Sequence, residues 1–500
     1  MSRLGHWIDE RMDLTGIRRS LLDRPVPSNL TWWHTLGSAT LAVFMVQVVT
    51  GVVLGMYYSP SPDHAYESIR YLDRVVASGA VVRGMHHWGA SAMVVLAVAH
   101  MIRVFTMGAY KYPREINWVL GVGLLFIVLG FGFTGYLLPW DQKAYWATAV
   151  GTNIAGTTPI IGGKLVTLLR GGSQQGAATL TRFYSLHVLL LPILLGIIVG
   201  LHLFLVVRQG VAPRPADLEK NAPKLTSDAK YPDFYRHHLH ESKTGGLRFW
   251  PDIIAKDVIV GTLVVVILAL LGTYVGAPLE APADPTDSSY VPVPEWYFLP
   301  FFQLLKLVPG SWESVIAVGV PMAIVLVLLF LPFFDKRSTR SIGKRPTAAF
   351  ILGGIAMSTA VLLGASMRSQ PKNTVAPEVG RLLTSTERAG RTQFERQQCG
   401  GCHNVAGMRA VPKKEDAPEA PDLTEVGLRH SAAFMHSFIE DPVRFHADSK
   451  MPAYGPPTLS HQEIEELTVY LSSLRGRANL NKQPEYRDTF PEPLKAKENE

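Results

Sequence analysis

Cysteine is almost missing from this 500-residue chain, which has two, at positions 399 and 402. No thiols remain for a cysteine-held iron–sulfur cluster anywhere else in the sequence. Charge is scarce as well. Asp, Glu, Lys and Arg make up 18% of residues against 47% hydrophobic ones, a balance that suits a protein crossing a membrane several times. The formal net charge of +7 is then mostly loop Lys and Arg, and implies no nucleic-acid partner. No cleavable signal precedes the first apolar run; residues 1 to 24 are charged and amphipathic and are expected to lie on the inner membrane surface.

What the chain has instead is apolar runs of spanning length. They lie near residues 31 to 58, 80 to 107, 116 to 137, 183 to 207, 253 to 275, 313 to 334 and 347 to 368, predicting seven crossings with the termini on opposite sides. The segment between the sixth and seventh runs carries Lys336, Arg337, Arg340, Lys344 and Arg345, whereas the one between the fifth and sixth carries Glu280, Asp284, Asp287 and Glu295. By the positive-inside rule the N-terminus is cytoplasmic and the C-terminus outside.

Four histidines inside these runs are the strongest functional signal. His86 and His100 share the second run, His187 and His202 the fourth. At about 1.5 Å and 100° per residue, a 14-residue step rises about 21 Å and closes within about 40° of four turns, while a 15-residue step overshoots by about 60°. Two helices so equipped can hold stacked metal centres at two depths, and bis-histidine haem b ligation is the natural use. A single His could instead hydrogen-bond across a bundle, but ionisable groups at membrane depth mark function, and matched pairs are hard to obtain by packing alone. Gly37 and Gly51 in the first run, and Gly121 and Gly135 in the third, repeat the 14-residue step. Each pair offers a side-chain-free patch for a flat macrocycle at each level, although glycine also serves plain helix contacts.

Past residue 370 the composition turns polar and Pro-rich, marking a linker (371–385) and then a soluble domain (386–476). Cys399-Gly-Gly-Cys402-His403 is the covalent attachment pattern of a c-type haem, with His403 as one axial ligand; a disulfide or a redox CxxC is the alternative. Pro421-Asp422-Leu423 resembles the loop that packs on the haem of small class I cytochromes c. Met451-Pro452, followed by a helix from about Ser460 to Leu474, resembles their closing segment, which makes Met451 the second ligand ahead of Met408 and Met435. The tail, 477–500, is Pro- and charge-rich and is expected to be disordered.

Two aromatic loops on the outer side add chemistry. One is Pro294-Glu295-Trp296-Tyr297; the other is Gly135-Tyr136-Leu137-Leu138-Pro139-Trp140-Asp141-Gln142, with Tyr145 and Trp146 after it. Aromatics alone form interfacial belts. A carboxylate among them, beside an electron acceptor, can take a proton from a hydroxyl as an electron leaves, which is what quinol oxidation requires.

At these residues the chain resembles the cytochrome b family of quinol:cytochrome c oxidoreductases, the cytochrome bc and b6f complexes. Residues 1–215 look like cytochrome b6, including the extra residue between His187 and His202. Residues 216–370, most clearly from about 245, look like subunit IV with its Pro-Glu-Trp-Tyr motif. The expected fold is all-α: a polytopic bundle of seven transmembrane helices with a small α-helical cytochrome c domain appended.

The resemblance implies that His86 and His187 hold a haem b near the outer surface and that His100 and His202 hold another near the inner one. It implies that Arg83 and Arg103 meet haem propionates, for which a guanidinium fork is apt. It also implies bifurcated quinol oxidation at an outer site, with Glu295, Tyr297 and Tyr145 as catalytic candidates. One electron would go to a Rieske iron–sulfur protein, necessarily a partner subunit, and on to the fused haem c. The other would cross through two haems b to an inner quinone site where Arg208 and Asp257 are candidates, with protons released outside. The expected cofactors are two non-covalent haems b and one covalent haem c. The expected partners are the quinone pool, a downstream cytochrome c or terminal oxidase, the lipid bilayer and a second copy of the complex, in a bacterial plasma membrane. One departure stands out. Cytochrome b6 tethers an extra haem through a cysteine where this chain has Thr35. Two rivals come from other classes: a passive dihaem anchor would not need Glu295, and a transporter would need neither CxxCH nor matched His pairs.

Overall fold

The structure is a computed structural model that describes residues 3–23, 25–27, 30–212, 214–219, 231–243, 247–280, 282–283, 285, 290–369, 383–405, 420–424 and 426–474. The expected linker, apart from 383–385, the expected tail and Met408 lie outside the described residues. Two compact units are present: Met1–Pro139, Ala147–Pro278 and Val293–Ser369 form one, and Trp140–Trp146, Leu279–Pro292 and Gln370–Glu500 the other.

Among the described residues, the first unit holds seven helices long and apolar enough to cross a membrane: Trp32–Tyr57, Gly79–Thr106, Glu115–Tyr136, Ala177–Gln209, Phe249–Tyr274, Val315–Phe334 and Pro346–Arg368. Large apolar side chains such as Val49, Leu189, Leu263 and Phe350 stay exposed, as a lipid-facing surface requires, while backbone polar groups are satisfied within the helices. The fourth helix starts six residues before its apolar run because Thr179, Leu180 and Phe183 are buried against the protein.

That fourth span also contains a wide turn at Leu186–Leu190. Pro192 has no N–H to give back along the helix, and the Leu191 amide reaches the Leu186 carbonyl, five residues earlier. Such a turn accommodates one residue more than a regular one. It therefore absorbs the extra residue of the 15-residue step between His187 and His202, and the overshoot expected from a regular helix is taken up locally.

Close backbone approaches fix how the spans meet. A Cβ on Gly84 of the second span would come within 2.6 Å of Gly272 Cα in the fifth, a small-residue crossing typical of membrane helices. Ser38 of the first span donates to Asp257 of the fifth at 2.6 Å, and the Trp118 indole of the third donates to the Leu328 carbonyl of the sixth at 2.6 Å.

At the bundle end that holds His100 and His202, the interspan loops are locked by buried cations. Arg340, 1% exposed, donates to the carbonyls of Gly108 and Tyr112, each at 2.8 Å, and to the Tyr231 hydroxyl at 3.1 Å. Lys111, 2% exposed, donates to Asp335 at 2.9 Å and to the carbonyls of Arg337 and Thr339. Arg345 donates to the Tyr110 hydroxyl at 3.0 Å. Arg340 and Arg345, read from sequence as topogenic charge, are thus also structural clamps. Helix Tyr231–Lys243, between the fourth and fifth spans, enters the same network. Among the described residues the one sheet pairs Pro25–Val26 with Leu247–Arg248.

In the second unit, helices Ser385–Arg396, Ala432–Glu440 and His461–Ser473 enclose a core that includes Phe394, Met435, Ile464, Leu467 and Tyr470. Thr384 with Glu387, and Ser460 with Glu463, form reciprocal caps that start the first and last of these helices. Gly390 lies against the Glu466 carbonyl, so the two helices cross closely where no side chain stands between them.

Candidate functional site

His86 and His187 face one another from the second and fourth spans, with ring centroids 6.3 Å apart. A metal held between two imidazole nitrogens at about 2.0–2.1 Å each sets the rings at roughly this separation. Each ring is fixed by a threonine. The Thr50 hydroxyl donates to the Val46 carbonyl at 2.6 Å and lies 2.9 Å from His86 Nδ1. The Thr134 hydroxyl donates to the Gly130 carbonyl at 2.8 Å and lies 3.0 Å from His187 Nδ1. With its proton committed to the helix carbonyl, each hydroxyl oxygen is left to accept. Both histidines therefore carry their proton on Nδ1 and present the Nε2 lone pair as a ligand, as a metal-binding histidine does when its other ring nitrogen donates to an oxygen.

The four glycines are aligned with the four rings. A Cβ on Gly51 would come within 3.3 Å of His86 Cε1, and one on Gly135 within 2.6 Å of His187 Cε1; the matching distances are 3.1 Å for Gly37 to His100 and 3.7 Å for Gly121 to His202. The glycines thus leave room for the imidazoles themselves as well as for a flat group between them. At the second level Arg103 has its Nε and Nη2 buried with no hydrogen-bond partner among the described residues, an unmatched cation that suits an acidic group such as a propionate. Arg83 is differently engaged: its Nε donates to Asp73 at 2.7 Å, and its terminal nitrogens donate to the carbonyls of Pro278 and Ala277.

Near the His187 level Tyr297 and Tyr136 come together with Glu295. A Cβ on Gly132 of the third span would sit 2.5 Å from the Tyr297 hydroxyl, and Glu295 lies within electrostatic reach of both tyrosines. Burial, and next the Glu295 carboxylate, push the Tyr297 hydroxyl well above the usual phenol range. The Trp296 indole donates to Ser91 Oγ at 3.1 Å, and the Phe298 amide to the Glu295 carbonyl at 2.8 Å, which fixes the loop. Tyr145 belongs to the second unit, edge-on to Trp140 at 5.7 Å and to Trp146 at 5.3 Å. In the same unit, Asp141 accepts from the amides of Ala144 and Glu280.

At the His100 end, half-buried Asp257 accepts from Ser38, and Arg208 is exposed in the last turn of the fourth span. Thr35, buried, donates to the Trp32 carbonyl at 2.7 Å.

In the second unit, His403 Nδ1 lies 2.9 Å from the Pro421 carbonyl. A carbonyl can only accept, so this ring too carries its proton on Nδ1 and offers Nε2. The Pro421–Leu423 loop is held by Asp422, which accepts from Asn404 Nδ2 and the Thr424 amide, each at 2.7 Å. Burial pushes the Cys399 thiol up, to about 11; a redox CxxC needs the opposite shift, whereas thioether attachment does not. Met451 is half-buried and packs on the core that Cys399 also borders, while Met435 is 4% exposed inside that core.

Residues 21–210 match the family model described as cytochrome b/b6/petB, residues 282–386 that of cytochrome b (C-terminal)/b6/petD, and residues 387–475 that of cytochrome c. The menaquinol:cytochrome c reductase cytochrome b subunit of Bacillus subtilis is 46% identical over 220 residues, covering 42% of this chain and 98% of that protein. The chain belongs to the cytochrome b/b6 family. The cytochrome b/c1 of Bradyrhizobium diazoefficiens is 34% identical over 384 residues, 76% of this chain, which spans about half (52%) of that relative. A solved structure titled hyperthermophilic respiratory Complex III matches with a TM-score of 0.62 at 28% identity, over 73% of this chain and 92% of that one.

Within this cytochrome b/b6 chain, three groups escaped the sequence reading. Tyr136 stood in a quoted motif, but nothing in the spacing said that it would meet Tyr297. Thr50 and Thr134 each precede a glycine of the 14-residue repeat, a visible signal without a stated role. Ser38 had no local signal at all, since its partner Asp257 lies 219 residues away.

Proposed function

We propose that the chain is the cytochrome b/c subunit of a quinol:cytochrome c oxidoreductase, oxidising quinol at a site built on Glu295. It would run as a b6-like part (1–215), a subunit IV-like part (216–370), a linker (371–385), a cytochrome c domain (386–476) and a tail (477–500). His86 with His187, and His100 with His202, would hold two haems b. Cys399, Cys402, His403 and Met451 would hold one haem c. When bound, these groups supply one-electron carriage. The relatives from Bacillus and Geobacillus are named for menaquinol, which makes a membrane quinol the substrate class.

The chain's own residues supply the proton chemistry. The Tyr297 hydroxyl is held protonated by burial and by Glu295, so it serves as a hydrogen-bond donor that orients a substrate oxygen. Glu295 is then the proton acceptor, half-buried among Trp296, Tyr297 and Tyr136, and a carboxylate there can take a hydroxyl proton. Tyr145 stays a catalytic candidate through the family resemblance alone. Arg103 would neutralise a propionate of the inner haem. Arg83 would pin the Ala277–Pro278 turn and offer its remaining N–H groups to the outer one. Ser38, Asp257 and Arg208 would form the inner quinone site. A Rieske protein would supply the iron–sulfur cluster that two cysteines cannot, passing its electron to the fused haem c and on to a downstream cytochrome c or oxidase. The complex would be a homodimer in a bacterial plasma membrane, N-terminus cytoplasmic and cytochrome c domain outside.

The observation that carries this reading is the opposed His86–His187 pair with both tautomers set by hydroxyls, beside a carboxylate flanked by two half-buried tyrosines. The test is quinol-dependent reduction of cytochrome c by the purified complex, with and without an inhibitor of the outer site. Inhibitor-sensitive turnover is expected. Haem b reducible only through a bound dehydrogenase would mean a passive dihaem anchor instead.

A further inference from the structure

The two histidine pairs differ in one respect that bears on electron flow. At the His86/His187 level each Nδ1–H has a threonine oxygen as acceptor, at 2.9 and 3.0 Å. His187 Nδ1 also lies near the Phe131 backbone. At the other level the Nδ1 atoms of His100 and His202 are buried and, among the described residues, have no side-chain acceptor; His202 has only the Asn117 backbone, as His187 has that of Phe131. The difference is written into the repeat. The residue before each ring-facing glycine is Thr50 before Gly51 and Thr134 before Gly135, but Leu36 before Gly37 and Leu120 before Gly121.

An imidazole whose Nδ1–H is held by an acceptor is a more basic ligand, and each threonine oxygen is itself polarised by donating its proton to a carbonyl. A more basic ligand stabilises Fe(III) relative to Fe(II). Without a hydroxyl acceptor on Nδ1–H, the ligand is a weaker donor and the one-electron reduction of Fe(III) to Fe(II) is favoured.

Building on the haem b reading above, we propose that Thr50 and Thr134 are potential-setting positioning residues. They lower the reduction potential at His86/His187, and the leucines that replace them at the second level leave the potential at His100/His202 higher. Electrons then run downhill in redox energy from the quinol-oxidising level to the other, which is the direction that must work against the membrane field. Two hydroxyls, one per axial ligand, thus give direction to a wire whose two ends are otherwise built alike.

The test is redox titration of both haems b in the purified complex, for the wild type and for Thr50→Val, Thr134→Val and their Ser counterparts. Valine keeps the shape and removes the acceptor; serine keeps the acceptor. Each Val variant is expected to favour the reduced form of the lower-potential haem by about tenfold, a shift of about 59 mV for one electron. The higher-potential haem should stay where it is, and the Ser variants should titrate like the wild type. If a Val variant fails to assemble, Leu36→Thr and Leu120→Thr make the converse test and should lower the higher potential. An unchanged potential in assembled protein, or an equal shift of both haems, overturns the proposal. A wild-type protein without two titrating b-type centres would instead overturn the haem reading beneath it.

Discussion

At the scale of single residues, Glu295 and Met451 are the two positions whose chemistry is most directly testable. Glu295→Gln keeps size and hydrogen bonding but removes the base, so quinol turnover should fall by roughly 10² to 10⁴ if general-base catalysis carries its usual share. The axial histidines lie on other elements, so the haem b spectrum after dithionite should be unchanged. Loss of haem b in this variant would make Glu295 structural, and near wild-type turnover would pass the proton to another group. Met451 is half-buried against the core bordered by Cys399, whereas its rival Met435 is enclosed within it. Met451→His should keep the haem c low-spin and lower its potential, since a thioether favours the reduced iron more than a second imidazole does. An unchanged potential would remove Met451 from the ligand set.

At the scale of elements, the fourth span shows what one residue of register means. The 15-residue spacing of His187 and His202 looked like a defect in the helical match, and the wide turn at Leu186–Leu190 removes it. Hydropathy carries no trace of such a turn, because every residue in it is apolar except His187 itself. Pro192 was the local clue, but proline inside an apolar run can also kink or end a helix. The turn holds a spare residue, so deleting Leu189 should leave a regular 14-residue step and preserve both haem b absorbances. Deleting Val94, between His86 and His100 in an uninterrupted helix, should rotate one histidine by about 100° and abolish haem b. Equal loss from the two deletions would mean that the wide turn does not set the register. The seven spans themselves were legible within a few residues because spanning length and apolarity are local properties. The partners of Asp257, Tyr297 and Arg340 were not, because each contact joins segments far apart in sequence.

At the scale of the whole molecule, the buried Arg340 and Lys111 clamps join interspan loops from both halves of the cytochrome b part and the helix between them. From sequence Arg340 spoke only of topology and Lys111 had no stated role; the carbonyls that hold them come from turns no motif marks. Three family models divide the chain, and each carries a separate haem or quinol signature, which makes cofactor stoichiometry the sharpest whole-chain test. In the proposed assignment the two histidine pairs would hold two haems b without covalent attachment. The single Cys399–Cys402 pair would then give thioethers to one haem c, and no other thiol exists to tether a third group. At the position where cytochrome b6 uses a cysteine, the Thr35 hydroxyl is buried and turned back to the Trp32 carbonyl, and a hydroxyl does not replace a thiol in thioether attachment. Acid-acetone extraction of the purified chain should therefore release two haems and leave one bound to the polypeptide. A second haem resisting extraction would show that a covalent link forms without a CxxCH motif, and the inner end of the bundle near Thr35 would be the first place to look for it.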